Sequence, residues 1–292
     1  MSSLLHPFQF ENIPARGRLL RLEALSDHVM TLQDCAPATA TLLAELLAAA
    51  ALLVHDAKHE HSVNLQVQNV ARKAMAFAHC SQQGHLKAFA NEGMRETSFA
   101  ELGNLPDSHF AVTLDNTNLA QPYQSLVGLH HPNASAALEH YFTTSVQTPT
   151  RFKVLTWREN DEADAPLHAG ALFLQALPGL SVEDDAWHRL GLLMQTLTPA
   201  ELANPNHPVE TLLLNLFAED TLRLSKPETF SLQADDPRPR MLAALANIPP
   251  QNLRDMFEKD DEITLTDQTS GKVERFTEAD LQHLLNPDTT QH

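Results

Sequence analysis

The chain has 292 residues, a formal net charge of −17 and a hydrophobic share of 43%. That is enough apolar material for one large core or two smaller ones, and it excludes a disordered chain. Acid exceeds base in residues 1–180, 181–230 and 231–292 alike, so phosphate backbones and anionic lipid are repelled along the whole length. Nucleic acid and membrane surfaces are therefore excluded as partners.

The first residues, Met1 to Pro7, hold no basic cluster and no long apolar stretch, so no secretory signal is expected. The most apolar run, Leu42 to Val54, includes Glu45 and reads as too short and too Ala-rich to span a bilayer. Two cysteines, Cys35 and Cys80, form no paired motif and fit a reducing cytoplasm. With only two Trp and two Tyr, Ala and Leu must supply most of the apolar area.

In chain order, Pro37 suits a first helical turn. Leu42, Leu43, Leu46, Leu47, Ala50 and Leu53 then recur at helical spacing, which predicts a helix over 37–54. Val63, Leu65 and Val67 alternate as in a strand. Further strands are predicted at 110–114, 124–129, 151–157 and 169–176, with a helix from Ala134 to Ser145 whose Leu138, Tyr141 and Phe142 face inward. Irregular alternation of this kind predicts an α/β (α+β) N-terminal domain over 1–180.

From Ser181 the pattern reads as helix only. Ser181 and Asp184 form a capping pair, and Trp187, Leu190, Met194 and Leu197 mark one face. Thr198-Pro199-Ala200-Glu201 is a second helix start, Asn204 to Pro208 is a break, and a helix over 209–219 presents Leu212, Leu213, Leu216 and Phe217. Residues 181–230 thus form a helical linker. The remaining residues, 231–292, read as a small α+β C-terminal domain. It has helices near 238–247 and 250–258, a hairpin with Ile263 and Leu265 on its first strand and a turn at Asp267 to Gly271, and a closing helix capped by Thr277 with Asp280. A core of that size gives only marginal stability.

Several motifs together resemble the 33 kDa chaperonin family, the redox-regulated heat-shock holdases of bacteria. Phe10-Glu11-Asn12 with Arg16-Gly17 is similar to the family's opening, as is the helix Leu42 to Leu47 running to the strand end Leu65-Gln66-Val67-Gln68. The most specific stretch runs from Val127-Gly128-Leu129 through Leu138-Glu139-His140-Tyr141-Phe142 to Ser145-Val146-Gln147-Thr148-Pro149-Thr150. Ala169 to Pro178 resembles the following strand, and Leu216-Phe217 with Lys226 to Phe230 resembles the linker.

The resemblance implies an apolar client surface on the N-terminal domain, covered at rest by the linker. Thiol oxidation in the family releases zinc, unfolds the C-terminal domain and linker, and lets the surface bind unfolding proteins without ATP. The four family zinc-ligand positions correspond here to Leu232, Ala234, Asp267 and Ser270. A structural zinc site needs four N, S or occasional carboxylate donors. Two aliphatic side chains cannot supply them, so no metal and no cofactor is expected.

The expected function is therefore ATP-independent holding of unfolded or misfolded client proteins under stress, with a homodimer left open and the trigger unassigned. Heat and acid are candidate triggers. Protonating 16 His would carry the charge of −17 to about −1 near the ordinary histidine pKa of about 6.5. The client-binding candidates are Trp187, Leu190, Met194, Leu212, Leu216 and Phe217, residues whose bland reading is linker packing. The alternative is an adaptor that keeps the fold and serves one dedicated partner.

Other chemistry-bearing residues carry less. Cys35 and Cys80 read as inert, partly buried thiols. His55, His59 and His61 with Asp56 and Glu60 read as a solvated helix end rather than a metal cluster, and His130-His131-Pro132 as a turn. No G-x-S-x-G motif or Gly-rich phosphate loop is present, so no enzyme is expected.

Overall fold

The computed structural model describes residues 3–25, 35–54, 61–94, 97–116, 123–160, 162, 165–177, 179–180, 182–204, 206–230, 238–266 and 273–285. The chain divides into two units, Met1–Gln233 and Ala234–His292.

In the first unit, β1 (Ser3–Phe10) and β2 (Ala15–Leu22) pair antiparallel, with Phe8 opposite Gly17. The Phe8 ring lies over that glycine so closely that a Cβ there would sit 2.1 Å from Cζ. Neither strand is foreseen in the sequence reading. Helix α1 (Pro37–Val54) is followed by β3 (His61–Asn69), β4 (Ala74–Cys80) and β5 (Leu86–Ala90). Next come a 3-10 turn at Glu92–Met94, α2 (Phe99–Gly103), β6 (Ser108–Asn116) and β7 (Tyr123–Gly128). Strands β3 to β7 form an antiparallel sheet of order β5-β4-β3-β6-β7.

Helix α3 (Ala134–Tyr141) begins at the Asn133 cap and continues as a π turn over Phe142–Val146, so the expected helix to Ser145 changes its winding rather than ending. Thr143 and Thr144 donate their hydroxyls back to the Glu139 and His140 carbonyls, a back-bonding that favours a bent or widened turn. Strands β8 (Thr150–Arg158) and β9 (Leu167–Ala176) follow. All ten residues of β9 are buried, so both of its faces are covered.

Helix α1 fills the space between the sheets. It touches β2, β8 and β9 on one side and β3, β4 and β5 on the other, and fourteen of its eighteen residues are buried. The whole helix Pro37–Val54 is long and apolar enough to cross a membrane, a test that buried core helices also pass. A helix that is apolar all round has to be buried on all sides, and here the two sheets do it. Its last turn is met from β2, where the buried Arg18 donates to the Leu52 carbonyl at 2.8 Å and lies 5.2 Å from the Phe173 ring centroid. A cation suits the negative end of a helix.

The residues after β9 form α4 (Asp184–Thr196), α5 (Pro199–Ala203) and α6 (Val209–Leu216), then β10 (Leu222–Leu224) and β11 (Glu228–Phe230). The Thr198/Glu201 capping box at α5 is formed as expected. At α4 the cap position is Glu183 without a side-chain bond, and Ser181 lies outside the described residues. The linker is not helix only: β10 and β11 both pair with the outer edge of β1, giving the sheet order β10-β1-β2-β9-β8. The helix expected over 209–219 stops at Leu216 because the chain must turn into that edge.

The second unit has α7 (Arg238–Leu245), α8 (Pro250–Phe257), the hairpin β12 (Ile263–Thr266) with β13 (Val273–Phe276), and α9 (Gln282–Leu285). Met241, Leu245, Leu253, Ile263, Phe276, Leu281 and Leu285 are its buried apolar residues. Arg238 sits 4.7 Å from the Phe276 ring centroid and bonds Glu274 and Asp280. Thr277 pairs with Asp280 as expected, although a turn separates them from α9.

Candidate functional site

The sheet containing β1 has two apolar faces filled by different partners. One face belongs to the α1 core, through Leu5, Leu20, Leu22, Ala169, Ala171 and Phe173. The other presents Phe8, Phe10, Leu19, Leu172 and Leu174 to the linker. Strand alternation sends neighbouring residues to opposite faces, so one strand serves both cores.

The linker helices roof the second face. Leu190 and Met194 of α4, Leu212 of α6 and Phe217 just beyond it are 0%, 0%, 2% and 0% exposed, while Trp187 and Leu216 are half-buried at the margin. Phe217 sits against the two phenylalanines of β1, with centroids 5.1 Å from Phe10 and 5.9 Å from Phe8. The body residues that receive the linker, Phe8, Phe10, Leu19, Leu172 and Leu174, are absent from the sequence-level candidates. The signal was present in Phe8-Gln9-Phe10, whose alternation puts two rings on one face.

Polar contacts rim the apolar seam. Arg189 of α4 grips Asp220 with both guanidinium ends, at 2.8 and 2.7 Å, and Asn12 of the β1–β2 turn donates to the same carboxylate at 3.0 Å. Burial pushes the Asp220 carboxyl up, but the bonds from Arg189 and Asn12 and the Arg189 charge outweigh it, leaving the pKa below its ordinary value. The clasp therefore stabilises above the usual aspartate range and is lost only as pH falls below it. Body cations also meet carbonyls of the linker: Lys153 bonds Gln195 O in the last turn of α4, and Arg21 bonds Glu201 O of α5 at 3.4 Å and His207 O of the loop before α6 at 3.1 Å.

His6 of β1 is buried 3.7 Å from Glu210 of α6. Burial lowers its pKa, Glu210 opposes that, and Arg21 reinforces it. The neutral ring is thus favoured in the fold, so protonating His6 as pH falls below the ordinary histidine range costs folding stability.

The roof is also tight. A Cβ on Gly170 of β9 would lie 2.7 Å from Leu202 Cδ1 of α5, 3.1 Å from Trp157 Cζ3 and 3.2 Å from Leu20 O. Gly170→Ala is expected to cost about 1–3 kcal/mol by overpacking and to lift α5. Denaturant unfolding together with a hydrophobic dye checks this, and a variant with unchanged midpoint and unchanged dye binding would refute it.

The remaining sequence candidates fall away from this seam or outside the described residues. Cys80 is buried, and burial pushes its thiol up, away from reactivity. Cys35 is half-buried just before α1. The His131 ring lies against His140, tilted, with centroids 4.9 Å apart, and its pKa is lowered by burial and then by the charges of His140 and His130. His55, Asp56, His59 and Glu60 lie outside the described residues, as does the side chain of His61. Among the described residues no group of three or more His, Cys, Asp or Glu is arranged to hold a metal. Leu232, Ala234, Asp267 and Ser270 lie outside them too. By donor chemistry that set does not fit zinc, since it offers one carboxylate, one hydroxyl and no thiolate or imidazole.

Comparison with known proteins places this architecture among the heat-shock chaperones. The crystal structure of the 33 kDa chaperonin (heat shock protein 33 homolog) from Thermotoga maritima matches with a TM-score of 0.78 at 16% identity, covering 99% of both chains. The family model described as Hsp33 protein matches residues 3–277, and the chain belongs to that family. Among curated relatives, the 33 kDa chaperonin of Shewanella denitrificans is 27% identical over 99% of this chain and 97% of its own length. That of Vibrio vulnificus is 25% identical over 97% and 95%.

Proposed function

We propose that this chain is an ATP-independent holdase of the cytoplasm that binds unfolded proteins under stress without a zinc or thiol switch. The observation that carries the reading is the sheet face of Phe8, Phe10, Leu19, Leu172 and Leu174, an apolar surface roofed by the chain's own amphipathic helices. Residues 1–180 act as the body, 181–230 as the removable cover and 231–292 as the module in the place of the family's redox domain. Trp187, Leu190, Met194, Leu212, Leu216 and Phe217 would bind clients, as would the sheet face they leave. Family membership supports the chaperone class. The chain's two cysteines are too few for the four-cysteine switch, which supports a trigger of heat or acid.

The test is an aggregation assay with a chemically denatured client, without ATP or oxidant, repeated after alkylation of Cys35 and Cys80. Heat or mild acid is expected to produce suppression that alkylation leaves unchanged. Aggregation that proceeds unaffected under every stress, or suppression that depends on the thiols, would overturn the proposal.

A further inference from the structure

The outer edge of β1 is covered by the chain's own linker, and the register shows how. Along β10, Phe8 faces Leu224, Gln9 faces Arg223 and Phe10 faces Leu222. Along β11, Ser3 faces Phe230, Leu4 faces Thr229 and Leu5 faces Glu228. The two registers differ by one residue. Lys226 and Pro227 therefore stand opposite the single residue His6, which is a bulge in an antiparallel pair.

Pro7 accounts for its position. The Pro7 carbonyl accepts from Ser225 N at 2.9 Å on this edge, but proline offers no N–H to return the bond. Beyond it the ladder resumes, and Glu11 N donates to Thr221 O at 2.9 Å.

Two observations make this edge more than a passive seam. First, its cover is short: two strands of three residues each, against eight in β1. Second, the covering segment belongs to the linker that the proposed function removes. Once it leaves, the outward N–H and C=O groups of Leu5, Gln9 and neighbouring odd positions are left unpaired beside Phe8 and Phe10. Such an edge is a template for an added strand.

We propose that the β1 edge vacated by β10 and β11 takes up an extended apolar segment of an unfolded client by antiparallel strand addition. The resting linker is thus a stand-in for the client. Backbone bonding makes the site indifferent to most of the client sequence. Phe8 and Phe10 favour a large apolar residue at every second position, as Leu222 and Leu224 provide in the resting chain. This inference rests on the holdase reading and names the part of that surface that binds.

The test uses the full chain with Gln9→Cys and Arg223→Cys in a Cys35→Ser, Cys80→Ala background. These residues are opposed in the ladder, and opposed strand residues lie within disulfide reach. Oxidation then holds β10 on the edge. Client protection after heat or acid is expected to fall several-fold in the oxidised form and return on reduction. A second measurement follows hydrogen exchange of the Leu5, Gln9 and Glu11 amides in the unstapled chain bound to client. They should exchange several-fold more slowly than in the activated chain without client, while residues 221–230 exchange freely.

Equal protection by oxidised and reduced forms, or no slowing of those amides, overturns strand addition and leaves the holdase reading standing. If the staple also prevents dye-reported opening, the amides decide the matter. Absence of client protection in every form overturns both.

Discussion

Phe217→Ala should turn the resting chain into one that holds clients at ambient temperature. The ring is fully buried against Phe8 and Phe10, and truncating a buried Phe costs about 3–5 kcal/mol. Phe217 lies immediately after α6 and before the turn into β10, so its loss loosens the roof and the covered edge together. The body should tolerate it, because the α1 core takes no side chain from Phe217. The expected readings are strong dye binding and suppressed client aggregation without heat, with far-UV signal from the body retained. Leu192→Ala is the control, since that side chain is 57% exposed on α4 and should change neither. A Phe217→Ala chain as silent as the native one would show that the seam is ordinary packing.

The second large effect lies in the other core. Glu45 sits in α1 among buried Leu and Ala residues, and burial raises its carboxyl pKa from 4.5 to about 7. A raised carboxyl pKa means that the fold prefers the protonated form. Its contribution is thus fully present below about 4.5 and is lost as pH rises through 7. A shift of this size amounts to about 3 kcal/mol of penalty at pH values above 7. Glu45→Gln should therefore stabilise the chain against urea by an amount of that order at pH 8, and by little at pH 5. Equal differences at the two pH values would show that ionisation of Glu45 is not the cause. Protonation of the buried His6 opposes folding as pH falls, so mild acid is expected to act through Glu45 and His6 in opposite directions.

Much of this architecture was legible in the residues, and the gaps have physical causes. Helix α1 was readable because Ala and Leu recur without a break, and α5 because Thr198 and Glu201 cap it locally. Strands β4 and β5 escaped because Ala74, Ala76, Ala78, Ala88 and Ala90 face inward, and alanine carries little strand preference. Strand β2 was obscured by Arg16, Arg18 and Arg21, whose partners come from far along the chain. The linker face was visible as a helical stripe, whereas its receiving surface was not, since Phe8 and Leu174 meet only through the fold. The Arg189–Asp220–Asn12 clasp joins residues 31 and 208 positions apart, and nothing local announces it. Strands β10 and β11 are three residues each and exist because β1 has an edge to complete.

The two faces of the β1 sheet are filled by unrelated sets of side chains, and that has a consequence for recovery after stress. If the linker lifts as proposed, α1, the second sheet and most of the first unit's apolar interior stay in place, so the molecule would not return to a random chain. Regaining the resting form then requires only that some fifty residues settle again on a surface that has kept its shape. On the proposed reading, such a protein would pass through repeated rounds of stress without being made anew.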